Sequence, residues 1–235
     1  MKILSLFDGI SCARVACERA GIEVEKYYAS EIDKYAIHVA QKNYPDTIQL
    51  GDVKNIKTIL DCGGAGAISI NEGEHDYIDL LIGGSPCQDL SIAKANRKGL
   101  KGERSGLFYE YLRILKQAKP KYFVLENVNS MPKEAKAEIT KELWCIEPVM
   151  INAALVSAQN RKRLFWVGKL QEDGTYKQVE ILQPKDRGIL LENILEPKIG
   201  DEFVVKEKSN TISANGAKTG LYLSNEIVHK LSPIE

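Results

Sequence analysis

Between positions 78 and 91 the chain reads Ile-Asp-Leu-Leu-Ile-Gly-Gly-Ser-Pro-Cys-Gln-Asp-Leu-Ser, and no other stretch restricts the fold as strongly. A short unbroken apolar run stopped by a glycine pair is how a strand buried on both faces of a parallel sheet is written. Cys87 then falls just past a strand end. In open α/β sheets the crevice beyond the carboxyl ends of the strands is where ligands bind, so a sulfur delivered there is placed for chemistry. Pro86 fixes its own φ and removes a backbone donor, which leaves the turn carrying the thiol few alternative courses.

The N-terminal third fits the same plan. Ile3-Leu4-Ser5-Leu6-Phe7 reads as a strand, and Asp8-Gly9-Ile10-Ser11-Cys12-Ala13 turns into a helix that carries Val15, Ala16 and Ala20 and ends at Gly21. Strand, glycine turn and helix make half of a nucleotide-binding βαβ unit, in which helix amides and a close backbone can face a ligand. Ser11 and Cys12 stand where the dinucleotide fingerprint needs its later glycines, so on the turn alone an ordinary tight turn is the better reading. Tyr27-Tyr28-Ala29-Ser30-Glu31 gives a second strand ending in an acid, spaced as such folds space the carboxylate that holds ribose hydroxyls. A third short strand, Ile48 to Val53, carries Asp52 beyond its end, a suitable acceptor for an adenine amino group. Taken singly, an acid at a strand end is more often a helix cap.

Further along, the glycine-rich run between Asp61 and Glu74 lacks the Gly-Lys-Ser/Thr ending of a phosphate cradle and reads as a flexible surface connection. Lys94, Arg97, Lys98, Lys101 and Arg104, interleaved with Gly99, Gly102 and Gly106, form a basic loop directly after the cysteine. On composition alone such a run is a solvated face; directly after the cysteine it could close over a phosphate backbone. Leu107 to Ala118 places Phe108, Tyr111, Leu112 and Leu115 at helical spacing, as core residues. Tyr122 to Val128 is the next buried strand and contains Glu126, an acid that must be paired or employed there. Pro148 to Val156 and Leu164 to Val167 read as strands, with Arg161 and Arg163 at alternate positions between them and so pointing the same way if extended. Beyond Gln171 the pattern fades. Leu190 to Leu195 is a short helix or strand, and Ser209 to Gly216 is polar and turn-rich.

Composition sets the outer limits. A length of 235 residues suits one medium catalytic domain with a smaller appendage. Lys plus Arg and Asp plus Glu both total 32, so overall charge neither demands nor excludes a nucleic-acid partner. Five cysteines without regular spacing fit a reducing compartment; Cys12, Cys17, Cys62 and Cys145 are expected as small buried hydrophobes. The opening residues are too short for a signal core and no long uncharged apolar span follows, which points to a soluble cytoplasmic protein and no membrane. His38, His75 and His229 lack ligand spacing, so no metal is expected and each is placed at the surface.

The run Gly-Gly-Ser-Pro-Cys-Gln-Asp-Leu-Ser with the following Arg97-Lys98-Gly99-Leu100 closely resembles the nucleophile loop of the DNA (cytosine-5)-methyltransferases. Glu126-Asn127-Val128 resembles that family's acid motif, and the Gln159-x-Arg161-x-Arg163 pattern resembles its arginine motif. The wording is nearest to the animal de novo branch and its bacterial and phage relatives. The likeness covers Lys2 to about Leu170 strongly and the remainder loosely.

The resemblance implies an α/β Rossmann-like fold for S-adenosylmethionine-dependent methyl transfer, mostly parallel, with helices on both faces and a small C-terminal target-recognition segment. Residues 1–170 would form the catalytic and cofactor-binding domain. Residues 171–235 would supply part of the target-recognition region, Leu231 to Glu235 resembling the start of the motif that braces it, with the family's last motif absent. S-adenosylmethionine would be held by Phe7, Asp8, Gly9, Ile10, Ser11, Glu31, Ile32, Asp52, Val53, Ser85 and Pro86. Cys87 would attack carbon 6 of a cytosine in double-stranded DNA, Glu126 would donate toward N3, Arg163 would hold the O2 edge, and Arg161 would support it or touch phosphate. The arginines or a helix start would favour the thiolate. Such enzymes serve DNA methylation, including restriction-modification. The competing readings are a cofactor- or DNA-binding module without turnover and an RNA cytosine methyltransferase. Enzymes acting on exocyclic amines use an Asp/Asn-Pro-Pro-aromatic loop, which Ser85-Pro86-Cys87 does not match.

Overall fold

The computed structural model describes residues 1–60, 66–71, 73–86, 106–194 and 207–209. Cys87, Cys62, His229, the basic loop from Lys94 to Arg104 and the closing Leu231 to Glu235 lie outside the described residues. Two compact units divide the chain, Met1–Val149 with Leu164–Glu180 and Met150–Arg163 with Ile181–Glu235. Met150–Arg163, inside the 1–170 segment expected from sequence, thus groups with the second unit.

In chain order the elements are β1 (Lys2–Leu6), α1 (Cys12–Arg19), β2 (Lys26–Ser30), α2 (Lys34–Asn43), β3 (Ile48–Gln49), β4 (Thr58–Leu60), β5 (Gly66–Asn71), β6 (Glu74–Asp76), β7 (Leu80–Gly84), α3 (Leu107–Ala118), β8 (Tyr122–Val128), α4 (Lys133–Glu142), β9 (Val149–Asn152), β10 (Lys162–Leu170) and β11 (Tyr176–Gln178). The main sheet runs β11-β10-β8-β7-β1-β2-β3. From β8 across to β3 every pair is parallel, and β11 closes the other edge antiparallel to β10. This is the mixed α/β, mostly parallel architecture implied by the sequence.

Burial on both faces follows from the period of two along each strand. Leu4, Leu6, Tyr28 and Leu81 join one core cluster with Phe108, Tyr111, Leu112 and Leu115 of α3. Ile3, Tyr27, Ala29 and Leu80 alternate with them into a second cluster with Cys17 of α1. Each fully buried large side chain of this kind contributes about 1.5–3 kcal/mol. Helix α3 spans the residues its apolar spacing predicts, and Lys119 ends it in the left-handed region at φ 44°.

Three expectations need correction. The run after Asp61 is not simply a loose connection, because Gly66 and Ala67 open β5, with Ala67 and Ile68 buried. A Cβ at Gly66 would fall 1.9 Å from the Gln117 carbonyl oxygen, so the glycine there serves close approach to the end of α3. Strands β4, β5 and β6 form a small antiparallel sheet of their own. The segment from Pro148 to Val156 is extended only over β9, after which Ala153–Leu155 is a 3₁₀ turn held by Asn152, whose side chain accepts from Ala154 N at 3.2 Å. Of the cysteines taken as core, Cys17 is buried but Cys12 and Cys145 are exposed. Both follow tight turns, Cys12 after Ser11 at φ 63° and Cys145 itself at φ 60°, which carry their side chains off the packed faces.

Candidate active site

The carboxyl ends of β1, β2 and β7 surround a cavity of about 310 Å³ in the first unit. Phe7, Ser30, Glu31, Ile32, Asp52, Val53, Pro86 and Leu107 line it. Six of the eleven residues named from sequence for the cofactor are among these: Phe7, Glu31, Ile32, Asp52, Val53 and Pro86. Ser30 and Leu107 were not named, although Ser30 directly precedes the acid.

The local sequence explains how the wall is built. After β1 the backbone enters the left-handed region at alternate residues, Phe7 at φ 57°, Gly9 at φ 61° and Ser11 at φ 63°. Glycine takes this conformation freely, whereas Phe7 and Ser11 hold it at a steric cost that surrounding contacts must offset. Those contacts are present. Asp8 is buried, and its carboxylate accepts from Tyr27 Oη at 2.7 Å and from Ser11 Oγ at 2.5 Å. Burial and the neighbouring Asp8 charge push the Tyr27 hydroxyl well above its usual pKa, keeping it a donor. Asp8 and Ser11 therefore shape the turn from behind, and Ile10, 52% exposed, lies off the wall.

Among the described residues, the donors that fix Glu31 are all main-chain. Gly9 N reaches Oε2 at 2.8 Å, while Ile32 N and Asp33 N reach Oε1 at 2.7 and 2.9 Å. A carboxylate has about four acceptor positions, so room for a further donor remains. Asp33 in turn caps α2, accepting from Tyr35 N at 2.8 Å and Ala36 N at 3.1 Å. Ser30 Oγ donates to the Gly51 carbonyl at 2.7 Å, bracing the turn before Asp52. Asp52 Oδ1 accepts from Lys54 N at 3.0 Å. Two carboxylates facing apolar walls suit a ligand with hydroxyl and amino donors on a flat ring.

Contrary to the expectation that the glycine pair stops it, β7 continues through Gly83 and Gly84, in register with Leu125 and Glu126 of β8. Glu126 Oε2 lies 2.9 Å from where a Gly84 Cβ would stand. Ser85 is buried, and Asn127 Nδ2 donates to its Oγ at 3.1 Å and toward its carbonyl at 3.4 Å. Asn127 Oδ1 accepts from Val128 N at 2.8 Å, which fixes the amide. Asn127 therefore anchors the turn whose next residues are Pro86 and Cys87; its place in the Glu-Asn-Val triplet was the available signal.

In the second unit Arg161 and Arg163 are half-buried on either side of exposed Lys162. Arg161 N donates to Asn152 Oδ1 at 3.0 Å, and Arg163 Nη1 to the Lys162 carbonyl at 2.9 Å. Lys208 Nζ ties this unit together, donating to the carbonyls of Ala154 at 2.8 Å, Ser157 at 3.1 Å and Ile189. Among the described residues no group of three His, Cys, Asp or Glu side chains could hold a metal ion, and no helix is long and apolar enough to cross a membrane. His38 and His75 are exposed.

Comparison with known proteins bears on these features. A family model described as C-5 cytosine-specific DNA methylase matches residues 1–230. An orphan methyltransferase of Bacillus phage rho11s is 32% identical over 93% of this chain and 38% of its own length. Type II methyltransferases of Neisseria gonorrhoeae and Fusobacterium nucleatum are 30% and 33% identical, over 86% and 90% of the chain and 48% and 59% of their own lengths. The chain thus spans roughly two-fifths to three-fifths of the length of these curated relatives. In fold it is similar to the crystal structure of a protein assigned as a prophage-encoded DNA modification methyltransferase from E. coli, with a TM-score of 0.54 at 22% identity over 83% of this chain and 56% of that one.

Proposed function

From the premise that this chain belongs to the C-5 cytosine-specific DNA methylase family, we propose that it transfers a methyl group from S-adenosylmethionine to carbon 5 of cytosine in double-stranded DNA. The observation that carries the reading is the cavity wall itself, which runs from Phe7 through Glu31 and Asp52 to Pro86, the residue bonded to Cys87. When bound, S-adenosylmethionine supplies an electrophilic methyl group. Glu31 would accept from its ribose hydroxyls, Asp52 from its adenine amino group, and Phe7, Ile32, Val53 and Leu107 would enclose its flat and apolar surfaces.

Carbon 5 of cytosine is a poor nucleophile until a group adds at carbon 6. The Cys87 thiolate forms that S–C6 bond, which places the displaced electron pair where carbon 5 can use it. Glu126 donates a proton or hydrogen bond toward N3 and so takes up charge that would otherwise build on the ring. Carbon 5 bonds the methyl group as the methyl–sulfonium bond breaks and its electron pair stays on the departing thioether; carbon 5 then loses its proton to a base, and the S–C6 bond breaks to restore both ring and thiolate. Arg163 is assigned to the O2 edge and Arg161 to its support or to phosphate, as the arginine pattern implies. The target base must leave the duplex stack, at about a few kcal/mol. We assign catalysis and cofactor binding to residues 1–170, part of target recognition to 171–235, and the cytoplasm as the site of action.

The test uses duplex DNA containing 5-fluorocytosine, from which the fluorine cannot leave as a proton does. With S-adenosylmethionine the protein is expected to form a covalent adduct that survives denaturing electrophoresis and that Cys87→Ser abolishes. Cofactor binding without an adduct would replace this reading with that of a binding module. An adduct on RNA alone would change the substrate.

A further inference from the structure

Strand β7 ends in two glycines, and the structure gives them different reasons to lack a side chain. A Cβ at Gly83 would stand 2.8 Å from two ring carbons of Tyr111 and 3.3 Å from the Leu6 carbonyl oxygen. Tyr111 is fully buried against the sheet, so neither neighbour can retreat. Among the described residues, a Cβ at Gly84 would meet Glu126 Oε2 at 2.9 Å and no other atom nearer than 3.9 Å. Gly84 is an ordinary strand residue whose conformation alanine shares, and it is not among the positive-φ glycines. Among the described residues, backbone strain and core packing therefore give Gly84 no reason to be glycine. The carboxylate does.

We propose that Gly84 is a positioning residue for the reaction: its bare Cα lets the Glu126 carboxylate lie against the end of β7, three residues before Cys87. This rests on the role assigned to Glu126 above. Because β7 and β8 are parallel neighbours in register at Gly84 and Glu126, any side chain at 84 shares the space beside the acid. A methyl group there pushes the carboxylate, at the far end of the Glu126 side chain, by about half an ångström or more to reach ordinary contact. The strand pairing beneath it is untouched. For a group that must meet a ring nitrogen, misplacement of about 1 Å lowers the rate by about 100-fold.

The test compares Gly84→Ala and Gly83→Ala in the full chain. Gly83→Ala is expected to lower the Tm strongly, whereas Gly84→Ala lowers it by about 2–4 °C at most, because only the far end of one side chain has to shift. In protein labelled with ¹³C at the glutamate carboxyl carbon, the resonance assigned to Glu126 through Glu126→Gln is expected to move in Gly84→Ala while other glutamates stay. Adduct formation on 5-fluorocytosine DNA is expected to slow by about 10–100-fold in Gly84→Ala. In a Glu126→Ala background the same change is expected to add nothing. An unmoved Glu126 resonance, a collapse of Tm in Gly84→Ala or an additive loss in the double variant each overturns the proposal. A wild-type protein that makes no adduct overturns the methyltransferase reading instead, and the labelled carboxyl still decides where Gly84 puts the acid.

Discussion

Strand β2 presents an acid partnership at each end, and the two are built differently. At its amino end Lys26 Nζ donates to Asp76 Oδ2 at 2.8 Å, joined by Lys2 Nζ at 2.5 Å and by Tyr28 Oη. At its carboxyl end Glu31 accepts from three backbone amides and faces a cavity. Burial alone would raise the Asp76 pKa, but the bonds from Lys2, Lys26 and Tyr28 and the Lys2 charge hold it well below 3.8. Among the described residues every strong partner of Asp76 is another side chain, so its charge goes to tying β1, β2 and β6 together. Glu31 is oriented by the main chain, which leaves acceptor capacity turned outward. An acid saturated by side chains stabilises; an acid held by amides is available to a ligand.

Three substitutions would break or sharpen that contrast. The largest effect is expected for Asp76→Asn, a stability loss of about 3 kcal/mol in denaturant unfolding, since two lysines lose a partly buried counter-charge. Cofactor affinity measured by calorimetry should stay unchanged. The sign of its pH dependence is fixed. Because the folded pKa is depressed, the Asp76 contribution is fully present above about pH 3.8 and fades as pH falls further. The acid limb of the stability curve should therefore flatten in Asp76→Asn. An unchanged limb would remove the cluster from the account of stability.

Glu31→Gln comes next, with the opposite profile. Loss of a charged acceptor is expected to raise the Kd for S-adenosylmethionine by about 10–100-fold, with a stability loss of about 1 kcal/mol from the rearranged amide bonds. If stability fell far more than affinity, the two ends of β2 would not differ as stated. Ser30→Ala should give the smallest effect, about 1 kcal/mol in stability and a few-fold in cofactor affinity, because it removes one brace under Gly51 and Asp52. A purely structural Ser30 would leave the affinity alone.

What the sequence revealed, and what it concealed, divides along range of interaction. The ends of α3 and β8 are written in local apolar spacing and so were legible, while β2 lies one residue earlier than its sequence pattern suggests. The acids Glu31 and Asp52 were legible by position after strands. Tyr27 as the partner of Asp8 was not, because the pair is separated by nineteen residues and meets only when β1 lies beside β2. Gly66 misled for the same reason: a glycine-rich composition looks flexible, and only the distant Gln117 backbone shows why the residue is small. Strands β4 and β6, three residues each, are too short to carry a periodic signal. Asn127 stands inside the Glu-Asn-Val triplet, but its hold on Ser85 joins two strands that are distant in sequence.

The alternating left-handed turn after β1 has a consequence for how a ligand arrives. Phe7, Gly9 and Ser11 are set by Tyr27, Ser30 and Glu31, all of them protein groups, so the bend is complete as soon as β1 and β2 pair. The entropy of shaping that part of the receptor is lost during folding and is not charged against association. A partner entering there meets a lip whose shape the protein's own hydrogen bonds already set.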